Sequence, residues 1–335
     1  MIKNLFLSLG NATKSFFSGL INMPACIMTQ IAKIKKEFDF LHYRLKNITT
    51  SNMDLGIYHV YNRNYGDAIF RFKLIDKFLD PNNKEANYWL GWIYLLKANY
   101  KQSIIHLTKA GDGDQINLLS FVKSVDSNLP IPNAVHQIHR DIMADLFIDK
   151  FVSDTINLPK QLVLELSAAI SKLPEEYTIL ELGSNIGLLG YEINKRMQDK
   201  FTLTSVEISN SMIQLQPICF PEQKLYDEIV HTPVNSFLEE SKQKYDIIFS
   251  MYGFSFEADL QKIFDNVFLL LQTSGYFAFA VRSTANDTLS NQTLEFSYNH
   301  KQLEEKLTKS GFQILVTKEF SLEIKNNYSI FVCIK

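Results

Sequence analysis

The stretch Tyr177-Thr178-Ile179-Leu180-Glu181-Leu182-Gly183-Ser184-Asn185-Ile186-Gly187-Leu188-Leu189-Gly190 decides the fold class of this chain. It opens with a short apolar run, which is typical of a buried strand, and a segment with helical spacing follows as far as Met197. A strand, a glycine turn and a helix hold nucleotide-like ligands at the carboxyl end of a parallel sheet. Glycines let the backbone approach the ligand, and the helix N-terminus offers free N–H groups. The stretch therefore predicts a ligand site at residues 183–187.

Length and composition fit an ordinary globular protein. The chain has 335 residues, which is enough for about two domains. Its formal net charge of −2 gives no bulk attraction to nucleic acid, so no nucleic-acid partner is expected. The three cysteines (Cys26, Cys219 and Cys333) are odd in number and far apart. They exclude a disulfide framework and a Cys-based zinc site, and they predict a reducing, cytoplasmic location.

Residues 1–48 are predicted to be a basic amphipathic helical segment. Five lysines precede or adjoin the first acidic residue, Glu37, and polar residues interrupt every apolar run. These runs are shorter than the roughly 20 residues that a membrane span needs, and no signal-peptide pattern is present. Three interpretations stay open: a helix packed on the next domain, a helix in weak contact with a membrane surface, and an organelle transit peptide.

Residues 49–150 carry an internal repeat with an offset of 35 residues. The repeated pairs are Leu55-Gly56 with Leu90-Gly91, Ala68 with Ser103, and Phe72 with Leu107. Small residues at these points let two helices of a hairpin approach closely. The pattern resembles the tetratricopeptide repeat, whose usual period is about 34 residues, although Asn52 and Asn87 stand where that family often has Trp.

Two repeats cannot bury their own faces, so helices near residues 115–124 and 135–151 are expected to cover them. A surface that docks a protein or peptide, or a second copy of the chain, and a purely structural addition both remain open. His136, His139 and Asp141 fall close together in this region, but no second ligand cluster accompanies them. Solvated or capping histidines are expected there, and no metal site.

Residues 151–335 alternate short β-rich runs with helical segments, which predicts an α/β domain with a parallel sheet. The predicted strands are 178–182, 202–206, 228–232, 246–250, 276–281, 312–320 and 328–334. The predicted helices are 187–197, 210–216, 234–242, 258–271 and 300–310. No helix separates the last two strands, so they are expected to form an antiparallel hairpin at one edge around the polar turn at residues 325–327.

The second strand ends at Glu207, 24 residues after Gly183. A carboxylate at this strand tip can accept both hydroxyls of a ribose, and Ser209 or Asn210 can cap the following helix. Asn185 stands where a third glycine is expected, and Asn tolerates the left-handed region better than most residues.

Several segments resemble a class I S-adenosylmethionine-dependent methyltransferase. They are Glu181–Leu188 (first motif), Val206–Met212 (second strand), Tyr245–Ser250 (fourth strand), Leu269–Phe279 (the helix, turn and strand that follow) and Ser310-Gly311-Phe312 (start of the sixth strand). With the helical repeats in front, the whole chain resembles the bacterial tetratricopeptide-repeat methyltransferases. The resemblance implies a Rossmann-like, seven-stranded sheet and S-adenosylmethionine as cofactor. The implied cofactor-binding residues are Glu181, Gly183, Ser184, Asn185, Gly187, Glu207, Ile208, Met212 and Ser250.

Within that resemblance, Glu181 is expected near the methionine amine, Glu207 on the ribose and Met212 at the adenine. Three positions depart from the family: Asn185, Pro233 after the third strand where an acid is frequent, and Tyr252 in an apolar loop after the fourth strand. Methyl transfer proceeds largely by orientation, so the absence of an identifiable base does not exclude activity.

No catalytic residue is assigned. Candidates near the pocket are Tyr252, His231, Arg282 and Tyr298, and Arg282 could bind a carboxylate or phosphate on the acceptor. The leading hypothesis is a methyltransferase that acts on a protein, a peptide or a small molecule. The alternative is a degenerate methyltransferase fold that serves as a scaffold or assembly protein. A nicotinamide-dependent oxidoreductase is disfavoured, because the middle glycine of G-x-G-x-x-G is missing.

Overall fold

The computed structural model describes residues 25–125, 130–150, 157–197, 200–290, 293–323 and 326–335. The chain divides into two compact units, residues 1–54 and 55–335. Parts of three sequence-based expectations lie outside the described residues: residues 1–24 of the basic segment, Phe151 at the end of one expected helix, and Lys325 in the expected hairpin turn. The domain boundaries after residues 48 and 150 stay a prediction.

Helices make up the described chain before the sheet. They are α1 (Ala25–Lys46), α2 (Ile48–Tyr61), α3 (Tyr65–Leu74, continued by a π-helical turn at Ile75–Leu79), α4 (Lys84–Leu96), α5 (Tyr100–Ala110), α6 (Leu118–Ser124), α7 (Asn133–Lys150) and α8 (Asn157–Ala169). Asn83 and Asn99 begin α4 and α5, because their side chains accept the N–H groups of Ala86 and Gln102 at 2.8 and 3.2 Å. Among the described residues, every helix is too short or too polar to cross a bilayer.

The two glycines of the 35-residue repeat make equivalent close contacts. A Cβ on Gly56 would lie 2.5 Å from Cε1 of Phe72, and a Cβ on Gly91 would lie 2.5 Å from Cδ2 of Leu107. Such distances are shorter than van der Waals contact, so a larger residue would force Phe72 or Leu107, or the helix that carries it, to shift. The repeated glycine therefore lets the second helix of each hairpin lie close to the first.

The sheet follows the helices. Its strands are β1 (Glu176–Leu182), β2 (Lys200–Glu207), β3 (Glu228–His231), β4 (Tyr245–Ser250), β5 (Leu271–Thr284), β6 (Thr288–Leu289), β7 (Phe296–Asn299), β8 (Gln313–Glu323) and β9 (Asn326–Ile334). The intervening helices are α9 (Leu188–Arg196), α10 (Asn210–Cys219), α11 (Val234–Glu240), α12 (Gln261–Leu270) and α13 (His300–Lys309).

Seven strands form the main sheet in the order β3-β2-β1-β4-β5-β9-β8. The pairs from β3 to β5 are parallel, whereas β9 runs antiparallel to both β5 and β8. The expected α/β fold and closing antiparallel hairpin are confirmed, and β9 inserts between β5 and β8. The short strands β6 and β7 were not expected; β7 pairs with the end of β5 beyond the main sheet, where too few residues alternate to give a strand pattern.

Helices cover both faces of this sheet. Leu162 of α8 and Ile193 of α9 lie in one buried cluster with Ile179 of β1. On the other face, Phe264 of α12 packs edge-on against Phe277 of β5 at a ring distance of 6.0 Å. The chain runs from β1 outward through β2 to β3, then returns to the other side of β1 with β4. This reversal leaves a crevice at the carboxyl ends of β1 and β4, which is where open α/β sheets bind ligands.

Candidate functional site

The turn between β1 and α9 adopts the left-handed backbone region at three positions. Gly183 and Gly187 have φ values of 80° and 91°, and Asn185 has a φ of 51°. Asn185 fits this conformation because its own Nδ2 donates to the carbonyl of Gly183 at 2.6 Å. The Asn that departs from the glycine pattern thus keeps the tight turn.

The turn packs directly against the loop that follows β4. A Cβ on Gly183 would lie 2.4 Å from Cα of Gly253, so the two backbones touch. Ser250, at the end of β4, donates its hydroxyl to the carbonyl of Leu182 at 3.0 Å and is fully buried. These contacts fix the ends of β1 and β4 relative to each other, which sets the width of the crevice.

Glu207 lies at the tip of β2 and is 2% exposed. Its Oε2 accepts the N–H of Asn185 at 2.7 Å, and its Oε1 accepts the N–H of Ser209 at 2.9 Å. An ionised carboxylate offers about four acceptor positions, so both oxygens keep capacity for a further donor. The two backbone bonds therefore orient Glu207 beside the turn without exhausting it.

Gln216 of α10 ties the turn from the other side. Its Nε2 donates to Ser184 Oγ at 3.1 Å and to the carbonyl of Asn185 at 2.8 Å. Sequence reasoning missed Gln216, because a lone glutamine 31 residues from its partner has no spacing signal. It makes the turn a rigid element held by β2 and α10 together.

Glu181 is buried beneath the turn, with 1% of its surface exposed. Burial raises the pKa of this carboxyl to about 8; the hydrogen bond from Tyr226 opposes the rise and the nearby Glu207 adds to it. The Tyr226 hydroxyl donates to Glu181 Oε2 at 2.8 Å. Tyr226 was not expected from the sequence. A carboxyl with this pKa is mostly protonated at neutral pH and would ionise beside an added cation.

The other expected cofactor residues lie around the start of α10. Met212 is fully buried, and its N–H is accepted by Ser209 Oγ at 3.1 Å. Ile208 is 6% exposed, and its carbonyl accepts a hydrogen bond from His231 Nε2 at 2.9 Å. All nine expected cofactor residues therefore lie at the carboxyl ends of β1, β2 and β4 or in the segments that directly follow these strands.

Helix α7 reaches this site from a distant part of the sequence. Asp141 Oδ1 accepts the Ser209 hydroxyl at 2.6 Å and the Ser211 N–H at 3.1 Å. Ser209 is thus bonded to Glu207 through its backbone and to Asp141 through its side chain. Sequence reasoning noted Asp141 only as a neighbour of two histidines, and no local pattern links residues 68 positions apart.

The expectation of solvated or capping histidines on α7 is wrong for His139. Its ring is 4% exposed and lies 5.6 Å from the ring of Phe256, while His136 stacks on the same ring at 3.7 Å. The loop after β4 covers this helical face, a tertiary contact that helical spacing cannot reveal. Burial lowers the pKa of His139 to about 3, so the imidazole is neutral. The described residues contain no group of three His, Cys, Asp or Glu side chains arranged to hold a metal ion.

Two of the four acceptor-side candidates come together. The rings of Tyr252 and Tyr328 meet edge-on at 6.4 Å, and the Arg282 guanidinium lies 6.0 Å from the Tyr328 ring. Arg282 also pairs with Glu295 at 3.4 Å. Burial raises the pKa of Tyr252 well above its usual range, so its hydroxyl stays protonated. Tyr252 of the loop after β4 and Arg282 of β5 therefore both lie beside Tyr328.

The remaining two candidates bond to backbone. His231 donates to a carbonyl, as described above, and the Tyr298 hydroxyl lies 2.6 Å from the Glu257 carbonyl.

Arg140 of α7, which the sequence did not single out, is 3% exposed. Burial lowers its pKa, and the carboxylates of Glu207 and Glu295 oppose that shift. Arg140 thus lies under the electrostatic influence of both the cofactor-side and the acceptor-side carboxylates.

Comparison with known proteins finds similarity to methyltransferases. A family model described as a methyltransferase domain matches residues 173–327. Malonyl-[acyl-carrier protein] O-methyltransferase 1 from Ilyobacter polytropus is 28% identical over 174 residues, which cover 47% of this chain and 61% of that protein. The chain therefore spans about three-fifths of the length of that relative.

The matching solved structures are more distant in sequence. A S-adenosylmethionine-dependent methyltransferase from Methanosarcina mazei has 15% identity and a TM-score of 0.40, covering 49% of this chain and 94% of that one. Phosphoethanolamine N-methyltransferase 2 from Haemonchus contortus, solved with S-adenosylhomocysteine, has 14% identity and a TM-score of 0.43, covering 59% and 60%. The functional assignment rests on the family match and the sequence relative. Residues 173–327 are therefore similar to methyltransferase domains.

Proposed function

We propose that this protein transfers the methyl group of S-adenosylmethionine to an acceptor that carries a carboxylate or phosphate and is presented by a protein, a peptide or a small molecule. The position of Glu207 is the observation that best supports the proposal. Its carboxylate is buried at the tip of β2, oriented by two backbone N–H groups, and faces the crevice end of the sheet.

The residues of the turn fit the cofactor. Asn185 Oδ1 is buried and has no hydrogen-bond partner within the described ranges. A buried acceptor without a partner costs about 1–3 kcal/mol, and an ammonium or hydroxyl group of the cofactor could satisfy it. Gly183 and Gly187 supply the left-handed backbone of the cradle, and Glu207 supplies the acceptor for the ribose. These acceptor oxygens are therefore complementary to a ligand that carries both hydroxyl groups and an ammonium group.

Each expected residue then has a role. Glu207 would accept the ribose hydroxyls, and Glu181 would ionise beside the methionine ammonium. Ser184 and Ser250 would line the cradle, and Ile208 and Met212 would flank the adenine. The bound cofactor supplies a methyl group already activated by its sulfonium centre, so the protein needs to orient the acceptor and exclude water more than to activate it.

The acceptor side supports an anionic ligand. Tyr252 stays protonated and can donate a hydrogen bond. Burial lowers the pKa of Arg282, but Glu295 and the nearby tyrosines raise that pKa on balance. Arg282 therefore stays positively charged. An arginine beside a protonated phenol binds a planar carboxylate or a phosphate well. The sequence relative acts, by its name, on a malonyl thioester of an acyl carrier protein, so that compound is one probe for this chain.

The helical hairpins of residues 55–110 would bring the acceptor near. Their repeated glycine contacts at Gly56 and Gly91 support a tetratricopeptide-like pair of hairpins. Such hairpins present a groove to a peptide or protein partner. Deleting them would then lower the rate on a protein-borne acceptor while leaving methylation of a small anionic acceptor unchanged.

Calorimetric titration with S-adenosylmethionine tests cofactor binding, and transfer of labelled methyl groups to a lysate of the source organism tests activity. The alternative, a scaffold that has lost activity, is motivated by the departures at Pro233 and Tyr252. Heat of binding together with methylation supports the enzyme. Binding without any labelled product favours the scaffold, and no heat at millimolar cofactor contradicts both the site and the enzyme.

A further inference from the structure

Helix α1 and the first residue of α2 carry apolar residues at alternating spacings of four and three. These seven positions, called the seam below, are Ile27, Ile31, Ile34, Phe38, Leu41, Leu45 and Ile48. Such spacing is the a/d pattern of a coiled coil, sustained here for three heptads. Helical bonding continues across the junction between α1 and α2, because the Asn47 N–H donates to the Tyr43 carbonyl at 2.9 Å and the Ser51 N–H donates to the Asn47 carbonyl at 2.8 Å.

Of the five seam side chains whose burial the structure describes, three are exposed and two, Ile31 and Phe38, are half-buried. Ile34 is 61% exposed, Leu41 is 56% exposed and Ile48 is 36% exposed. A continuous apolar stripe in water is unfavourable and marks an interaction surface. The 22-residue helix α1 is about 33 Å long and contains the seam positions from Ile27 to Leu45.

Charged residues beside the seam specify the partner and its direction. Glu37 and Arg44 occupy equivalent heptad positions on the same side of the seam, seven residues apart. In an antiparallel pair of identical helices with Phe38 opposite Leu41, Glu37 of each copy faces Arg44 of the other, and this happens twice by symmetry. In a parallel pair Glu37 would face His42 instead. The charges therefore match a second copy of this chain in the antiparallel direction.

We propose that the seam is a self-association surface, on which α1 of a second copy packs antiparallel as a short coiled coil. The surface belongs to residues 27–48 and is independent of the methyltransferase site. A membrane surface and the chain's own earlier residues are the competing occupants, and each gives a different result below.

Sedimentation of the full-length protein tests the proposal. Wild type is expected as a dimer at tens of micromolar, with twice the 38.6 kDa chain mass. Leu41→Asp puts a carboxylate into the seam of both copies and should weaken the dimer by about 100-fold or more. Tyr43→Asp is the matched control, because Tyr43 is 62% exposed and lies off the seam. It should change the dissociation constant by less than about threefold.

Charge exchange tests the direction. Arg44→Glu places two carboxylates face to face at both ends and should weaken the dimer about tenfold. Adding Glu37→Arg to the same chain re-forms both pairs only in the antiparallel arrangement, so the double variant should recover to within about threefold of wild type. A double variant as weak as Arg44→Glu alone would overturn the antiparallel pairing.

Two further results would overturn the proposal as a whole. One is a monomeric wild type, whose seam is then covered by its own chain. The other is a monomer that co-sediments with phosphatidylserine vesicles and loses that binding on Leu41→Asp, which makes the seam a lipid surface. Circular dichroism and the cofactor dissociation constant should match wild type in every variant, so that a loss of dimer is not a loss of folding.

Discussion

Glu207→Gln separates the two tasks that we assign to this side chain. In the native protein the carboxylate accepts the N–H of Asn185 at 2.7 Å and the N–H of Ser209 at 2.9 Å, both buried. Gln keeps the size and one acceptor oxygen, but its NH₂ group would face the second N–H, donor against donor. One buried N–H then lacks an acceptor, which should lower the free energy of unfolding by about 1–3 kcal/mol.

The effect on the cofactor follows from the same charge. Hydrogen bonds to a carboxylate are roughly twice as strong as those to a neutral amide. The substitution should therefore weaken the binding free energy of the cofactor by about 1–3 kcal/mol. The dissociation constant for S-adenosylhomocysteine should therefore rise about 5- to 150-fold. The turn should keep its conformation, because Gln216 still donates to the Asn185 carbonyl at 2.8 Å.

Isothermal titration with S-adenosylhomocysteine gives the affinity, and thermal unfolding followed by circular dichroism gives the stability. Glu165→Gln is the matched control: Glu165 is 9% exposed, pairs with Lys318 at 2.6 Å and lies on α8 away from the turn. It should lower stability and leave the affinity within about twofold of wild type. Wild-type affinity in a folded Glu207→Gln protein would show that the ribose is held elsewhere.

Three further changes probe the same region. Burial raises the pKa of Glu181 from its ordinary 4.5 to about 8, so the native state holds a proton that the unfolded chain loses. The free energy of unfolding should therefore fall as pH rises through that interval. In Glu181→Gln the melting temperature should depend less on pH between about pH 5 and pH 9. Gly183 has a φ of 80°, and a Cβ there would lie 2.4 Å from a backbone atom of the loop after β4. Gly183→Ala should therefore lower the free energy of unfolding by more than about 2 kcal/mol in denaturant titration. Gly66 lies in open space on α3, so Gly66→Ala should raise that free energy by up to about 1 kcal/mol. Asp141→Ala removes the acceptor of two groups at the start of α10 and should lower unfolding free energy by about 1–2 kcal/mol and raise the cofactor dissociation constant several-fold; unchanged values for both would mean that α7 does not support the site.

The sequence predicted the α/β domain because its signals are local. Period-two and period-3.6 runs follow one another from residue 177, and the missing helix before Tyr328 predicted the antiparallel closing strand. The insertion of β9 between β5 and β8 was not predicted, because pairing across the sheet depends on contacts far apart in the chain. The strands β6 and β7 are too short to show a period.

The same difference between local patterns and distant contacts decides which site residues could be predicted. The turn and Glu207 were predictable, because a glycine pattern and a strand-tip acid lie within one βαβ unit. Tyr226 and Gln216 were not, since they reach Glu181 and Asn185 from 45 and 31 residues away. His139 was misjudged for a related reason: its burial comes from Phe256, which no helical periodicity of α7 can anticipate.

The bond from Asp141 to Ser209 determines how far the chain can be shortened. The methyltransferase family match begins at residue 173, yet a protein cut there would leave the start of α10 without its acceptor. It would also lose Leu162 and the rest of α8 from the core and so uncover one face of the sheet. The smallest piece expected to fold begins before Asn133. Exchange of the front helices between relatives, in the laboratory or in evolution, would therefore have to keep α7 and α8 with the sheet.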